Sequence, residues 1–292
     1  MNEPTPPNSH SESRTPRPDW LKIRLPSGEA YFRLKSIMRR SGLHTVCESA
    51  LCPNISECWS SGTATFMILG NICTRHCMYC AVTSGQPARV DPDEPARVAD
   101  AVKLMGIRHA VVTSVTRDDL NDGGAEIFYL TAHAIRRTCQ QTKIELLVPD
   151  FAGRRESVER VVEAHADVFN HNIETVPRLY DKVRPIARYE RSLDVLRLAA
   201  ELNSSSITKS GIMIGMGEEP EEVLSVFKDL RSVGCRYLTI GQYLQPSRQH
   251  HSVARFYTPD EFADLKTQAE SLGFECVDSG PLVRSSYHAR IE

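Results

Sequence analysis

The sequence predicts an α/β fold built on a parallel sheet, and three observations carry that expectation. Short apolar runs recur from Thr63 onward, each followed by a longer segment of helical period. The runs are hydrophobic, as strands covered by helices on their faces are. The helical segments carry capping and stop residues at the places where a strand–helix repeat needs them.

In chain order, residues 1–18 hold five of the seventeen prolines and no aromatic or branched aliphatic side chain. Such a segment buries too little apolar surface to offset its ordering entropy, so a disordered tail is expected. From Trp20 to about Ser61 the pattern is irregular, with one helix near Tyr31–Arg40 and then three cysteines. A small loop-rich unit held by something other than a core is expected there. The strands then follow at Thr65–Leu69, His109–Ser114, Ile144–Val148, Val168–Ile173, Ile207–Ile214, Tyr237–Gly241 and Phe274–Asp278. Pro95–Met105 places Val98, Val102 and Met105 on one helical face before the stop at Gly106. Pro220–Ser232 gathers Val223, Phe227 and Leu230, with proline at a first-turn position and Gly234 just past the end. Thr258-Pro259-Asp260-Glu261 reads as an N-cap, a first-turn proline and an acidic first turn, closed by Gly273.

About six strand–helix units and a last strand result. They suit either an open doubly wound sheet or a full or partial TIM-type barrel. Both put ligand sites at the C-terminal ends of the strands. A length of 292 residues suits one large domain or two ordinary ones. The net charge of −2 argues against nucleic acid as main partner, since a basic footprint is expected there. No apolar run approaches the ~18–20 residues of a membrane span. No basic-then-apolar leader opens the chain. A cytoplasmic protein without membrane or nucleic-acid partners is expected.

Six of the nine cysteines crowd between Cys47 and Cys80. An odd count of clustered thiols reads as metal ligands or redox groups rather than as disulfides. Cys73, Cys77 and Cys80 form C-x3-C-x2-C, starting four residues past the first strand, where either fold carries chemistry. Three thiolates can hold three irons of a cubane cluster and leave the fourth iron open. A structural zinc knuckle with a distant fourth ligand, for which His76 is the candidate, is the competing reading, because thiolates also suit zinc. Cys47, Cys52 and Cys58 form C-x4-C-x5-C, again three close ligands without a fourth. Cys139, Cys235 and Cys276 sit in helical or strand contexts and read as core thiols.

The C-x3-C-x2-C loop after the first strand of a strand–helix array resembles the signature of the radical S-adenosylmethionine superfamily. That resemblance implies a partial (β/α)6 barrel. It also implies an open iron that chelates S-adenosylmethionine, which an electron splits into methionine and a hydrogen-abstracting 5′-deoxyadenosyl radical. With both triplets the chain resembles the lipoyl synthase family. Supporting stretches are Gly62–Gly70, Thr113–Gly124, Phe169–Thr175, Gly241–Ser247 and Arg284–Ala289. The resemblance runs from about Trp20 to about Ala289, leaving the tail outside. It divides the chain into a tail (1–18), an N-terminal extension for an auxiliary cluster (19–62), the barrel (63–280) and a C-terminal capping segment (281–292).

The family resemblance further implies two 4Fe-4S clusters. One is held by Cys73, Cys77 and Cys80. The other, a sacrificial sulfur source, is held by Cys47, Cys52, Cys58 and a serine, Ser285 or Ser286, with Ser286 favoured. The implied reaction inserts two sulfur atoms, at C6 and C8 of a protein-bound octanoyl-lysine, using two S-adenosylmethionine molecules. The implied partners are octanoylated lipoyl carrier domains (dehydrogenase-complex E2 subunits and the glycine cleavage H protein), a ferredoxin or flavodoxin reductant, and an iron–sulfur carrier protein for cluster repair. Another radical sulfur transferase, such as a methylthiotransferase, is the nearest alternative. That class carries widely spaced N-terminal cysteines and an RNA-binding domain, neither of which is read here. A non-catalytic iron–sulfur or zinc-stapled protein is the other.

For the cofactor pocket, period-2 alternation puts Asn170, Asn172 and Glu174 on one side of the fourth strand, where either ribose hydroxyls partner them or the face is a solvent-facing edge. Superfamily resemblance adds Ser114 toward the cofactor's amino or carboxylate group, Arg184 toward its carboxylate, and Tyr79 toward adenine through its backbone. The G-x-G pair in Gly211–Glu218 is read as a close backbone approach to the cofactor. Arg117, Asp118 and Asp119 either position substrate or form a solvated turn. His250 and His251 are expected at the surface without a metal role.

Overall fold

The computed structural model describes residues 17–22, 29–49, 52, 54–60 and 63–286. Apart from Arg17 and Pro18, the expected tail lies outside the described residues.

Seven strands alternate with six main helices. The strands are β1 (Thr63–Ile68), β2 (His109–Ser114), β3 (Lys143–Leu147), β4 (Val168–Asn170), β5 (Ile207–Ile214), β6 (Tyr237–Gln242) and β7 (Cys276–Gly280). Between them run α1 (Glu94–Met105), α2 (Ala125–Thr138), α3 (Arg155–Val162), α4 (Tyr189–Leu202), α5 (Pro220–Ser232) and α6 (Pro259–Ser271). All seven strands pair in parallel, in chain order. A doubly wound sheet reverses its order at a switch point. Here the order never reverses, so the winding is that of a barrel. Among the described residues, the outermost strands of the sheet do not pair with each other, which makes the barrel partial.

Local chemistry sets the helix ends. Thr258 and Glu261 form a reciprocal capping box ahead of α6, with Pro259 at the first helical position. Gly106 closes α1 at φ +63°, a backbone conformation that costs glycine nothing. The outer strand faces carry Phe66, Val112, Ile144 and Leu146, packed with Val102, Phe128 and Ile135 of the helices. Ile212, Ile214 and Ile240 pack with Phe227 and Phe262 on the far side. Each such side chain contributes about 1.5–3 kcal/mol by leaving water.

The N-terminal extension differs from expectation. Its helix Glu29–Arg40 sends Leu34, Ile37 and Met38 into the same core as β1. Tyr31 stacks on Trp59 at 5.3 Å. His44–Thr45 adds a short antiparallel strand beside β1. The extension therefore has a core, shared with the barrel. Its hydrophobic residues come from several short pieces, so no long periodic run announced them.

The inner strand faces carry polar groups among apolar ones. By period 2, His109 shares a face with Thr113, Glu145 with Leu147, and Lys209 with Met213. Lys209 Nζ lies 3.1 and 3.2 Å from the Glu145 carboxylate oxygens. Asn170 Nδ2 donates to Glu145 at 2.6 Å, and His109 Nε2 lies 3.3 Å away. Burial pushes the Glu145 carboxyl up, but Lys209, His109 and Asn170 outweigh it and hold it down at about 2. A carboxyl depressed on folding contributes stability present above its unfolded value of 4.5 and lost as pH falls toward 2. Replacing Lys209 with methionine strands a buried carboxylate and is expected to cost about 3–5 kcal/mol near neutral pH. Urea unfolding checks this, and the gap to the parent should narrow between pH 4.5 and 2.

Candidate functional site

The second cysteine triplet lies on the loop that leaves β1. Leu69 at φ +67° and Gly70 at φ +89° turn the chain out of the sheet. Buried Glu94, in the first turn of α1, accepts the Leu69 N–H at 2.7 Å. Ile72–Cys73 then pairs with Thr83–Ser84, closing the loop at its base. Within it, Met78 N–H donates to the Val183 carbonyl at 2.9 Å, and His251 N–H donates to the Met78 carbonyl at 2.8 Å.

Cys73, Cys77 and Cys80 border a cavity of about 500 Å³, within the ordinary range for ligand sites. Thr113 and Ser114 close it from β2, Leu147 from β3 and Met213 from β5. His171, Asn172, Glu174, Arg184 and Tyr79 complete the wall. Burial pushes the Cys80 thiol up to about 12 and raises that of Cys77. These thiols are therefore neutral until a metal displaces their protons.

Among the described residues, four buried polar atoms in this wall have no hydrogen-bond partner: Ser114 Oγ, Asn172 Oδ1, His171 Nε2 and Arg184 Nε. Stranded polar groups cost stability unless a ligand or water meets them, so their gathering at one cavity marks a binding wall. Asn172 Nδ2 donates to Glu174 at 3.1 Å, and Arg184 Nη1 donates to the Asn172 carbonyl at 3.2 Å. Glu174 sits at φ +68°, strain that turns it toward this group. Burial raises its carboxyl, opposed by Arg184, Asn172 and Tyr79.

Asn170 does not join the wall. Strand β4 ends at Asn170, four residues earlier than period 2 needs, so Asn172 and Glu174 come from the loop beyond. Asn170 turns to Glu145 instead. His171, absent from the expected set because its parity pointed outward, takes a place in the wall. Its Nδ1 bonds the Val148 carbonyl at 2.8 Å, which makes Nδ1 the protonated nitrogen and Nε2 an acceptor. Burial lowers its pKa to about 4, so the ring is neutral.

The first triplet is assembled beside the same cavity. Cys47 and Cys58 are buried on the short helices Val46–Ser49 and Ile55–Ser60, with Cys52 between them. Cys52 N–H bonds the Cys47 carbonyl at 2.9 Å. Burial, with Cys52 adding to it, pushes the Cys47 thiol up to about 12. Buried Asn54 donates to the Leu282 carbonyl at 2.6 Å, tying this unit to the chain end. Burial raises the Cys52 thiol against the opposing charge of Arg284. Val46, Arg284 and Ser285 border the cavity, while Ser286 is half-buried and outside its wall. The C-terminal segment passes tightly over β6: a Cβ on Gly241 would lie 2.2 Å from the Val283 carbonyl oxygen. Tyr287 and the residues after it lie outside the described residues.

Other expected positions fall differently. His76 is exposed and outside the cavity wall. Among the described residues, no three His, Cys, Asp or Glu side chains close on one ion. His250 and His251 are half-buried rather than superficial: His250 Nε2 lies 2.9 Å from the Cys80 carbonyl, and His251 Nε2 lies 2.9 Å from that of Met216. Gly215 is close-packed, but against this chain: a Cβ there would meet Gln242 at 2.1 Å and the Arg255 carbonyl at 2.5 Å. The Arg117–Asp119 turn is solvated only in part, since Asp119 is exposed. Arg117 is buried, pairs with Asp119 and donates to the Leu69 carbonyl. Cys235 is fully buried, and Cys139 and Cys276 partly so.

Comparison with known proteins agrees with this architecture. A model of the radical SAM superfamily matches residues 67–230. A model of the N-terminal domain of lipoyl synthase matches residues 6–52, so the likeness starts inside the tail rather than after it. The chain is 56% identical over 283 residues to a lipoyl synthase of Rubrobacter xylanophilus, covering 97% of this chain and 88% of the relative. It is 54% identical to one of Koribacter versatilis, covering 94% and 90%. Among solved structures, methylornithine synthase superposes with a TM-score of 0.55 at 13% identity, covering 92% of this chain and 85% of that one. The FeFe-hydrogenase maturase HydG from Carboxydothermus hydrogenoformans gives 0.55 at 15%, covering 87% and 74%. At such identities these two speak for the fold alone.

Proposed function

The chain belongs to the lipoyl synthase family of the radical S-adenosylmethionine superfamily, and on that premise we propose how its residues divide the work. It is an enzyme, a sulfurtransferase. The observation that carries the proposal is one cavity bordered by Cys73, Cys77 and Cys80 and adjoined by the Cys47–Cys58 unit, with unpartnered polar atoms in its wall.

Cys73, Cys77 and Cys80 hold one 4Fe-4S cluster, and their number leaves one iron for the cofactor. Cys47, Cys52, Cys58 and Ser286 hold the auxiliary cluster. The Asn54–Leu282 bond and the charge of Arg284 beside Cys52 support a ligand from the C-terminal segment. A serine oxygen binds such a soft site less firmly than a thiolate, which suits a ligand that must let its iron go. The cofactor-binding set is Ser114, Asn172, Glu174, Arg184 and Tyr79, which line the cavity together; Ser114, Asn172 and Arg184 bring stranded polar atoms and Glu174 a strained backbone. When bound and reduced, the first cluster supplies the electron that splits S-adenosylmethionine, and the resulting 5′-deoxyadenosyl radical takes hydrogen from the substrate.

This chain's own residues do the positioning. Arg184, held by the Asn172 carbonyl and the Tyr180 hydroxyl, would meet the cofactor's carboxylate. Glu174 and Asn172 would hold the ribose. The substrate is an octanoyl-lysine arm on a lipoyl carrier domain, an E2 subunit or a glycine cleavage H protein. The cavity, bordered by Cys73, Cys77 and Cys80 on one side and by Val46, Arg284 and Ser285 on another, would confine the acyl arm, and confinement would replace a bimolecular encounter. Ferredoxin or flavodoxin supplies electrons, and an iron–sulfur carrier protein rebuilds the auxiliary cluster. Nine cysteines without a bridge suit a reducing compartment, so we place the chain in the cytoplasm. No described helix is long and apolar enough to cross a membrane.

Iron and sulfide analysis of the anaerobically reconstituted chain tests the assignment. About eight irons and about eight sulfides per chain are expected for two cubanes. Zinc without sulfide overturns it.

A further inference from the structure

Arg75 lies between the first two cysteines of the loop, yet it is only 5% exposed. Its Nε and Nη2 donate to the two carboxylate oxygens of Asp118 at 2.6 and 2.7 Å. Nη2 also lies 2.7 Å from Asp150, which is 0% exposed and lies just past β3. Asp150 turns its other oxygen to Arg191 of α4 at 3.2 Å. Two guanidinium groups and two carboxylates thus alternate, and the buried charges cancel along the row, a condition under which burial is tolerated.

The same turn carries a second set of contacts. Thr74 and the loop after β2 exchange hydrogen bonds: Thr74 N–H to the Thr116 carbonyl at 3.0 Å, and Asp118 N–H to Thr74 Oγ1 at 3.1 Å. This stitching aims two backbone amides at one sulfur. Thr116 N lies 3.3 Å and Arg75 N 3.4 Å from Cys73 Sγ. N–H groups directed at a ligand sulfur stabilise the extra electron of a reduced cluster and so raise its potential.

We propose that Arg75 is a positioning residue for the cofactor cluster: by gripping Asp118 and Asp150 it keeps two amides on the Cys73 sulfur and thereby sets how readily that cluster accepts an electron. The inference rests on the assignment of Cys73, Cys77 and Cys80 to that cluster. A pin serving stability alone would hold the three loops together without moving the potential.

The test is a potentiometric titration of the reconstituted full chain, read by low-temperature electron paramagnetic resonance. The signal followed is the part that changes on adding S-adenosylmethionine. Arg75→Gln and Asp118→Asn are expected to retain iron and shift that midpoint to lower potential. Cofactor cleavage by reduced flavodoxin should fall several-fold, and a more strongly reducing titanium(III) citrate should restore it toward the parent rate. An unchanged midpoint, with cleavage equally slow under both reductants, overturns the proposal. If Arg75→Gln loses iron, Asp118→Asn, which keeps an acceptor of the same shape, decides the matter by its midpoint alone. If the unaltered chain gives no cofactor-sensitive signal, the cluster assignment itself falls, and this inference with it.

Discussion

Replacing Cys77 with alanine is expected to reduce 5′-deoxyadenosine formation to background and lipoyl product with it. Cys77 lies in the middle of the loop, and its thiol borders the cavity beside Tyr79 and Glu174. A cubane that loses one of only three protein ligands has two free irons and no fixed orientation toward the cofactor wall. The loss should exceed the ~10²–10³-fold that a single missing hydrogen-bond donor costs, because the whole electron path is removed. The iron content should drop from about eight to about four per chain, the auxiliary cluster remaining. Unfolding is not the expected cause, since Cys77 is only half-buried and the loop stays pinned through Arg75 and Met78. Chromatographic measurement of deoxyadenosine and methionine checks the prediction. Cleavage at the parent rate would remove this loop from the reaction.

The strand–helix order was readable because it rests on local chemistry. Apolar runs bounded by caps and glycines need no distant partner to be recognised, and the Thr258 capping box lies within four residues. The choice between open sheet and barrel was not local. It depends on which strands pair, and resemblance rather than periodicity pointed to the barrel. The cysteine ligand sets were also legible, since their spacing is short.

The bracing of the site was not legible. His250 meets the Cys80 carbonyl across 170 residues, and Arg75 meets Asp118 across 43. Nothing within a sequence window signals such contacts. The alternation argument for Asn170, Asn172 and Glu174 failed for a definite reason. It assumed an extended strand, whereas the chain leaves β4 after Asn170 and Glu174 adopts a positive φ. That departure brings His171 into the wall. The glycines after β5 misled in a related way, because a glycine reports close approach without naming what approaches. At Gly215 it is Gln242 and Arg255.

Replacing Cys52 with alanine should separate the two halves of the reaction. Cys52 adjoins Cys47 in the extension and is not in the wall that carries the cofactor groups. The Cys73–Cys80 loop is braced from Asp118, Asp150, Val183 and His251, none of which belongs to the extension. Deoxyadenosine formation is therefore expected to stay within a few-fold of the parent when an octanoyl-lysyl peptide is present. Lipoyl product should vanish, and iron should fall to about four per chain. The extension keeps its shared core through Leu34, Ile37, Met38 and Trp59, so the barrel should remain folded. The contrast with Cys77 is the informative part. A chain in which both triplets served one electron-transfer function would lose cleavage in both variants. One in which the first triplet were purely structural would lose stability and keep product. Only a cluster acting as the sulfur source gives cleavage without insertion, with the abstracted substrate radical left to recover hydrogen from its surroundings. Mass spectrometry of the peptide after turnover in deuterated buffer reads that fate directly. Product at the parent rate would show that the sulfur comes from elsewhere.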